Sequence, residues 1–165
     1  MVLFSAFFAL GASAPNEPVE EPRCHGRRPT IVGTEKDDVL RGTSSRDVIW
    51  GGAGDDTIVG SLGNDLLCGG TGADLIHGGR GNDVADGGAG AGDRVIGDLG
   101  DDKLLGGMGD GDEVAGSLGI DTLSGGPGDF DVVHGDYGYD RMDGGRARTT
   151  SPPSRPTSVR ARAGA

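Results

Sequence analysis

Twelve aspartates recur along the chain at intervals of nine or ten residues: Asp38, Asp47, Asp56, Asp65, Asp74, Asp83, Asp93, Asp102, Asp112, Asp121, Asp131 and Asp140. Acid–base catalysis needs carboxylates in contrasting environments that converge on one substrate. A regular column of identical carboxylates suits a row of cation sites instead. The available donors are carboxylate and backbone carbonyl oxygens. Hard oxygen donors suit Ca²⁺, which takes roughly six to eight of them in flexible geometry, better than Mg²⁺ with its tighter octahedron. Cys and His stay out of the recurring columns, so zinc and iron are not indicated.

The elements that must position these aspartates are the repeats themselves. From Gly33 the chain reads GTEKDDVLR, GTSSRDVIW, GGAGDDTIV, GSLGNDLLC, GGTGADLIH and GGRGNDVAD. From Gly87 units of ten and nine residues alternate, with the longer units starting at Gly87, Gly106 and Gly125. Every unit opens with Gly, and an apolar residue stands two places after each Asp: Leu40, Ile49, Ile58, Leu67, Ile76, Ala85, Val95, Leu104, Val114, Leu123, Val133 and Met142. Gly also holds the fourth position, except at Lys36 and Ser45. Such self-similarity marks a repeat architecture in which each unit is one supersecondary element.

The first six residues of a unit are Gly, small residues and Asp, which form turns with access to positive φ. The last three place one aliphatic side chain on one face and its neighbours on the other. So short a strand is stable only when stacked on copies of itself. The predicted fold is therefore all-β: a parallel β-roll, or β-solenoid, with two nonapeptide units per coil turn. All three ten-residue units fall on the same parity, so the extra residue enlarges one edge and the stack keeps its phase.

Composition alone points elsewhere. Glycine makes up 35 of 165 residues and aromatics 4%, a profile that also fits a disordered linker. The aliphatic ladder and fixed Asp argue against a linker. Collagen is excluded because Gly does not recur every third residue. No apolar run reaches the roughly 20 residues of a membrane helix. The net charge of −11 argues against nucleic acid, whose phosphates demand Lys and Arg. Residues 33–145 hold 21 Asp and 2 Glu against 5 Arg and 2 Lys. Stacked strands put like charges about 5 Å apart on each edge, a repulsion of about 3 kcal/mol per pair at an effective dielectric near 20. Without cations the chain is expected to be unfolded or partly ordered.

The pattern GGxGxD followed by x-aliphatic-x resembles the RTX, or haemolysin-type, calcium-binding repeat. Units Gly51–Val59, Gly69–His77 and Gly78–Asp86 carry it almost fully. The resemblance implies a parallel β-roll whose glycine-rich turns bind several Ca²⁺ ions between successive coils. It implies metal ligands at all twelve aspartates, most directly Asp56, Asp65, Asp74 and Asp83. The backbone of Gly51, Gly52, Gly54, Gly69, Gly70, Gly72, Gly78, Gly79 and Gly81 would join them. Asp38 and Asp47 lie in units without Gly at position four, and Asp93, Asp112 and Asp131 in units with a longer turn. Ser61, Asp98, Ser117 and Asp136 also depart from the double glycine.

The ends of the chain read differently. Residues 1–14, MVLFSAFFALGASA, look like the later part of a secretory signal peptide with an A-x-A cleavage pattern, though without its basic region. Residues 15–23 form a polar linker. The segment CHGRRPTIV, 24–32, reads as a degenerate half-turn that caps a roll spanning 24–145. Residues 24–34 are similar to the start of the repeat region in secreted actinobacterial proteins of this kind. Two Cys in an exported chain favour a disulfide. Parity places Thr30–Val32 on the face of Val48–Trp50 and Leu66–Cys68, so Cys24 can fold over that face, bond Cys68 and cover Trp50. The alternative is two free thiols. Residues 146–165, with five Arg, no acid and three Pro, form an expected disordered basic tail.

No Ser/His/Asp, Cys/His or HExxH grouping is present, and His77 and His134 share a column three coils apart. The reading is therefore a non-enzymatic, secreted calcium-binding roll. Two alternatives remain: a structural or adhesive module with a cell-surface or glycan partner, and the remnant of a larger secreted enzyme or toxin.

Overall fold

The computed structural model describes residues 22–144. The segments expected to be a signal peptide and a basic tail, and most of the expected linker, lie outside the described residues. Among the described residues thirteen strands follow one another without a helix: β1 (Ile31–Val32), β2 (Val39–Arg41), β3 (Val48–Ala53), β4 (Thr57–Leu62), β5 (Leu66–Thr71), β6 (Leu75–Arg80), β7 (Val84–Ala89), β8 (Arg94–Leu99), β9 (Lys103–Met108), β10 (Glu113–Ala115), β11 (Thr122–Ser124), β12 (Val132–His134) and β13 (Arg141–Asp143). Odd-numbered strands form a seven-stranded sheet and even-numbered strands a six-stranded one, each in sequence order. All pairing between these strands is parallel. The chain is thus a β-solenoid of about six turns, with two units to a turn as the parity of the repeats requires.

The aliphatic column forms the core. Ile49, Ile58, Leu67, Ile76, Ala85, Val95, Leu104, Val114, Leu123, Val133 and Met142 are buried in one cluster, with Ile31 and Leu40 half-buried against its first coil. The pairing is in phase throughout: Ile49 lies beside Leu67 and Ile58 beside Ile76. The longer units do not break it, since Val114 pairs with both Val95 and Val133. Their extra residue is absorbed in the turns between β7 and β8, β9 and β10, and β11 and β12. There Gly92, Gly111 and Phe130 take φ of 82°, 78° and 70°.

One expectation needs correction. The first half of a unit was expected to be turn alone, yet β3–β9 run for six residues, through the first three residues of the next unit. Gly52 pairs with Gly70 and Ala53 with Thr71. The reason is that stacked turns also need partners for their N–H and C=O groups, and the same turn one coil away supplies them. A left-handed residue at position two bends the strand without ending its pairing. In the last coils only three residues of each unit keep full strand pairing, and single bridges, Leu99 with Leu118 and Leu118 with Tyr137, continue the edge.

Outside the core, Cys24 is disulfide-bonded to Cys68 with Cα atoms 5.7 Å apart. Cys24, Val48, Leu66 and Cys68 form a second buried cluster, with Trp50 and Val84 packed against it. The N-terminal hook therefore covers the outer face of the seven-stranded sheet at its first strands.

Candidate metal centres

Each column aspartate sits at the last turn residue before a strand, and its side chain turns into the roll. From Asp47 onward all are buried. One carboxylate oxygen has a fixed role. From Asp56 onward, Oδ1 of each aspartate accepts the backbone N–H of the column aspartate one coil earlier, at 2.7 to 3.1 Å. This makes two ladders, one along each edge: Asp38 through Asp131 before the six-stranded sheet, and Asp47 through Asp140 before the seven-stranded one.

The second oxygen is different. Oδ2 is buried without a hydrogen-bond partner in Asp56, Asp65, Asp74, Asp83, Asp93, Asp102, Asp112, Asp121, Asp131 and Asp140. An unpaired buried charge is costly and calls for explanation. The longer turns make no difference, as Asp93, Asp112 and Asp131 share the pattern. In Asp38 and Asp47 the same oxygen accepts hydrogen bonds from a threonine of its own unit.

The glycine opening each unit makes room for this carboxylate. A Cβ on Gly51 would collide with Asp56 Oδ2 and with the carbonyl oxygen of Gly69, and one on Gly69 with Asp74 Oδ2 and the Gly87 carbonyl. A carboxylate oxygen and a carbonyl oxygen from the next coil thus converge where a side chain is absent. The other glycines serve the backbone. Position two is left-handed in Gly52 (φ 117°) and Gly70 (119°), and equally in Ser61 (82°) and Asp98 (71°), which hold the same turn without glycine.

Burial raises the carboxyl pKa of nine of these aspartates. Asp74, Asp83, Asp93 and Asp121 are pushed up to about 6 and Asp102 to about 7. Asp56, Asp65, Asp112 and Asp140 are also raised. Desolvation is the main cause; the accepted N–H bond opposes it, and neighbouring carboxylates add to it. A rise from 3.8 to about 6 costs on the order of 3 kcal/mol for each carboxylate kept ionised. A cation beside Oδ2 would remove both the desolvation and the repulsion.

A further set of stacked hydrogen bonds, on both edges, escaped the sequence reading. Side-chain Oδ1 of Asp37, Asp55, Asn64, Asn82, Asp101 and Asp110 accepts the N–H of the position-five residue, or its counterpart in the longer turns, one coil later, at 2.8 to 3.1 Å. These side chains are exposed and run in the opposite sense to the buried column. Frequent Asp and Asn at position five was the available signal.

The donor set fits a hard cation: buried, unpaired carboxylate oxygens beside backbone carbonyls, repeated along two edges. A family model for the RTX calcium-binding nonapeptide repeat, four copies long, matches residues 32–67, 69–92, 92–113, 107–129 and 115–148. The chain belongs to this RTX repeat family. Calcium binding is the property that names it. No curated protein and no solved structure matches the chain. Within this RTX roll, Asp56, Asp65, Asp74 and Asp83 occupy equivalent positions, each with Oδ2 unpaired. No helix among the described residues is long and apolar enough to cross a membrane.

Proposed function

We propose that the chain is a secreted calcium-binding β-roll whose turns take up Ca²⁺ between successive coils and whose folding is coupled to extracellular calcium. The observation that carries this reading is the row of ten buried carboxylate oxygens without partners. Asp56, Asp65, Asp74, Asp83, Asp93, Asp102, Asp112, Asp121, Asp131 and Asp140 supply Oδ2. The carbonyls of the following coil's glycines supply neutral oxygens. Calcium supplies the positive charge that a net −16 repeat region lacks. Extracellular modules bind Ca²⁺ with dissociation constants of roughly 10⁻⁴–10⁻³ M, a range that leaves a chain empty in the cytosol and loaded outside. The A-x-A pattern of the N-terminus and the Cys24–Cys68 disulfide support export.

Far-ultraviolet circular dichroism during a Ca²⁺ titration from excess chelator tests the coupling. The β signal is expected to grow with calcium. A full β signal in chelator, unchanged by calcium, would rule the coupling out.

A second reading keeps the roll as a scaffold for a surface partner. Its support is a groove of about 600 Å³ on the outer face of the seven-stranded sheet, lined by Arg23, Trp50, Leu105, Met108 and Pro127 among others. Binding of the calcium-loaded roll to cells or glycans separates the two readings.

A further inference from the structure

The first coil is built differently from the rest. The backbone N–H and the hydroxyl of Thr34 both donate to Asp38 Oδ2, at 2.6 and 2.8 Å. Thr43 repeats this on Asp47 Oδ2, at 2.7 and 2.9 Å. Each hydroxyl also accepts the N–H two residues on, from Lys36 at 3.2 Å and Ser45 at 3.1 Å. These are closed loops of hydrogen bonds around the oxygen that is unpaired in the ten later units.

The backbone explains the exchange. Both threonines occupy position two, where Gly52, Ser61, Gly70, Gly79 and Gly88 are left-handed. Thr34 and Thr43 are not among the positive-φ residues, as befits β-branched side chains. The ordinary φ aims their N–H at the carboxylate. Two donor dipoles then point their positive ends at the oxygen that a cation would otherwise neutralise. The position-four glycine is also replaced, by Lys36 and Ser45.

We propose that Thr34 and Thr43 stand in for calcium, so that the coil 33–50 closes without metal and ions are taken only from Asp56 onward. This rests on the calcium reading of the later units. Two further features favour a metal-free start at this end. Thr30 Oγ1 donates to the carbonyl of Val48 at 3.1 Å and accepts its N–H at 3.0 Å, closing β1 onto β3. The Cys24–Cys68 bond ties the same coil to β5 over Val48 and Leu66. Later coils then add to a formed template, each Oδ1 docking on an N–H that the preceding coil presents.

The test uses the full chain with its disulfide intact, in excess chelator at neutral pH, with amide hydrogen exchange read residue by residue. The N–H groups of Thr34 and Thr43 are expected to exchange at least about tenfold more slowly than those of Gly70, Gly88 and Gly107. Calcium should slow the later amides and leave the two threonines unchanged. Thr34→Ser with Thr43→Ser should keep the protection, and Thr34→Val with Thr43→Val should lose it. A variant that restores the glycine pattern (Thr34→Gly, Lys36→Gly, Thr43→Gly, Ser45→Gly) should bind about two more Ca²⁺ ions than the natural chain, each new site having its own carboxylate. Threonine amides as fast in chelator as those of Gly70, Gly88 and Gly107, or an unchanged ion count in the four-glycine variant of a calcium-binding chain, would overturn the proposal. If neither chain takes up calcium, the calcium reading of the later units falls and this proposal falls with it; unprotected threonine amides in a chain that does bind calcium overturn this proposal alone.

Discussion

From Asp56 onward, every column aspartate divides its labour between two oxygens. Oδ1 fastens one coil to the last, and Oδ2 is left without a partner in a place that water does not reach. Asp74→Ala should therefore remove one calcium site and loosen the stack, since the N–H of Asp56 loses its acceptor. A calorimetric ion count checks this, and the loss of about one ion is expected. Gly69→Ala should damage the same site from the other side, because its Cβ would press on Asp74 Oδ2 and on the Gly87 carbonyl. The expected result is a drop in calcium affinity at least as large as that of Asp74→Ala. The aspartate column was legible as a row because an Asp recurs in every unit, nine or ten residues from the last. The need for the opening glycine was not, because the atoms that exclude its Cβ belong partly to a residue eighteen places on. The threonine bonds of Asp38 and Asp47 were hidden for a similar reason: they depend on the φ of position two, which the residue type only biases.

Among the elements, the edge that absorbs the insertions holds one bulky residue in a left-handed turn. Phe130 is left-handed (φ 70°) and 80% exposed, where the equivalent residues of the other long turns are Gly92 and Gly111. Phe130→Gly should stabilise the calcium-loaded roll by about 1 kcal/mol, by relieving a φ that a bulky residue resists. Thermal denaturation in saturating calcium reads the change; an unchanged or lower midpoint would contradict it. At the opposite end, the Cys24–Cys68 bond closes a loop of sequence separation 44. In the chain-entropy model that is worth about 4 kcal/mol. Replacing both Cys with Ser should uncover Trp50, the chain's single tryptophan, and shift its emission to longer wavelength. Strand order and the place of the insertions followed from counting residues. The lengthening of β3–β9 into the glycines did not, because a glycine-rich hexapeptide reads as turn until an identical neighbour offers it hydrogen bonds.

At the scale of the molecule, two rows of buried carboxylates oppose one narrow aliphatic ladder. Their folded-state pKa values, raised to about 6 or 7 at Asp74, Asp83, Asp93, Asp102 and Asp121, lie above the ordinary 3.8. Between about pH 4 and pH 7 the folded metal-free chain therefore binds more protons than the unfolded one, and its stability falls as pH rises through that window. In chelator, β signal should be greatest near pH 4 to 5 and lost toward neutrality. With calcium the dependence should invert, because protons then compete for the same oxygens. Dichroism at a series of pH values, with and without calcium, reads both arms. The charge imbalance behind this behaviour was visible in the sequence. Which oxygens bear it was not, since only the stacked coils separate the bonded Oδ1 from the unpaired Oδ2.

The central claim is that calcium occupies these turns. The most direct test is the number of Ca²⁺ ions retained per chain after equilibrium dialysis of the folded, disulfide-intact protein at neutral pH. Several ions per chain are expected, lost together with the β signal on chelation. A chain that keeps its β-roll while retaining no calcium would contradict the account.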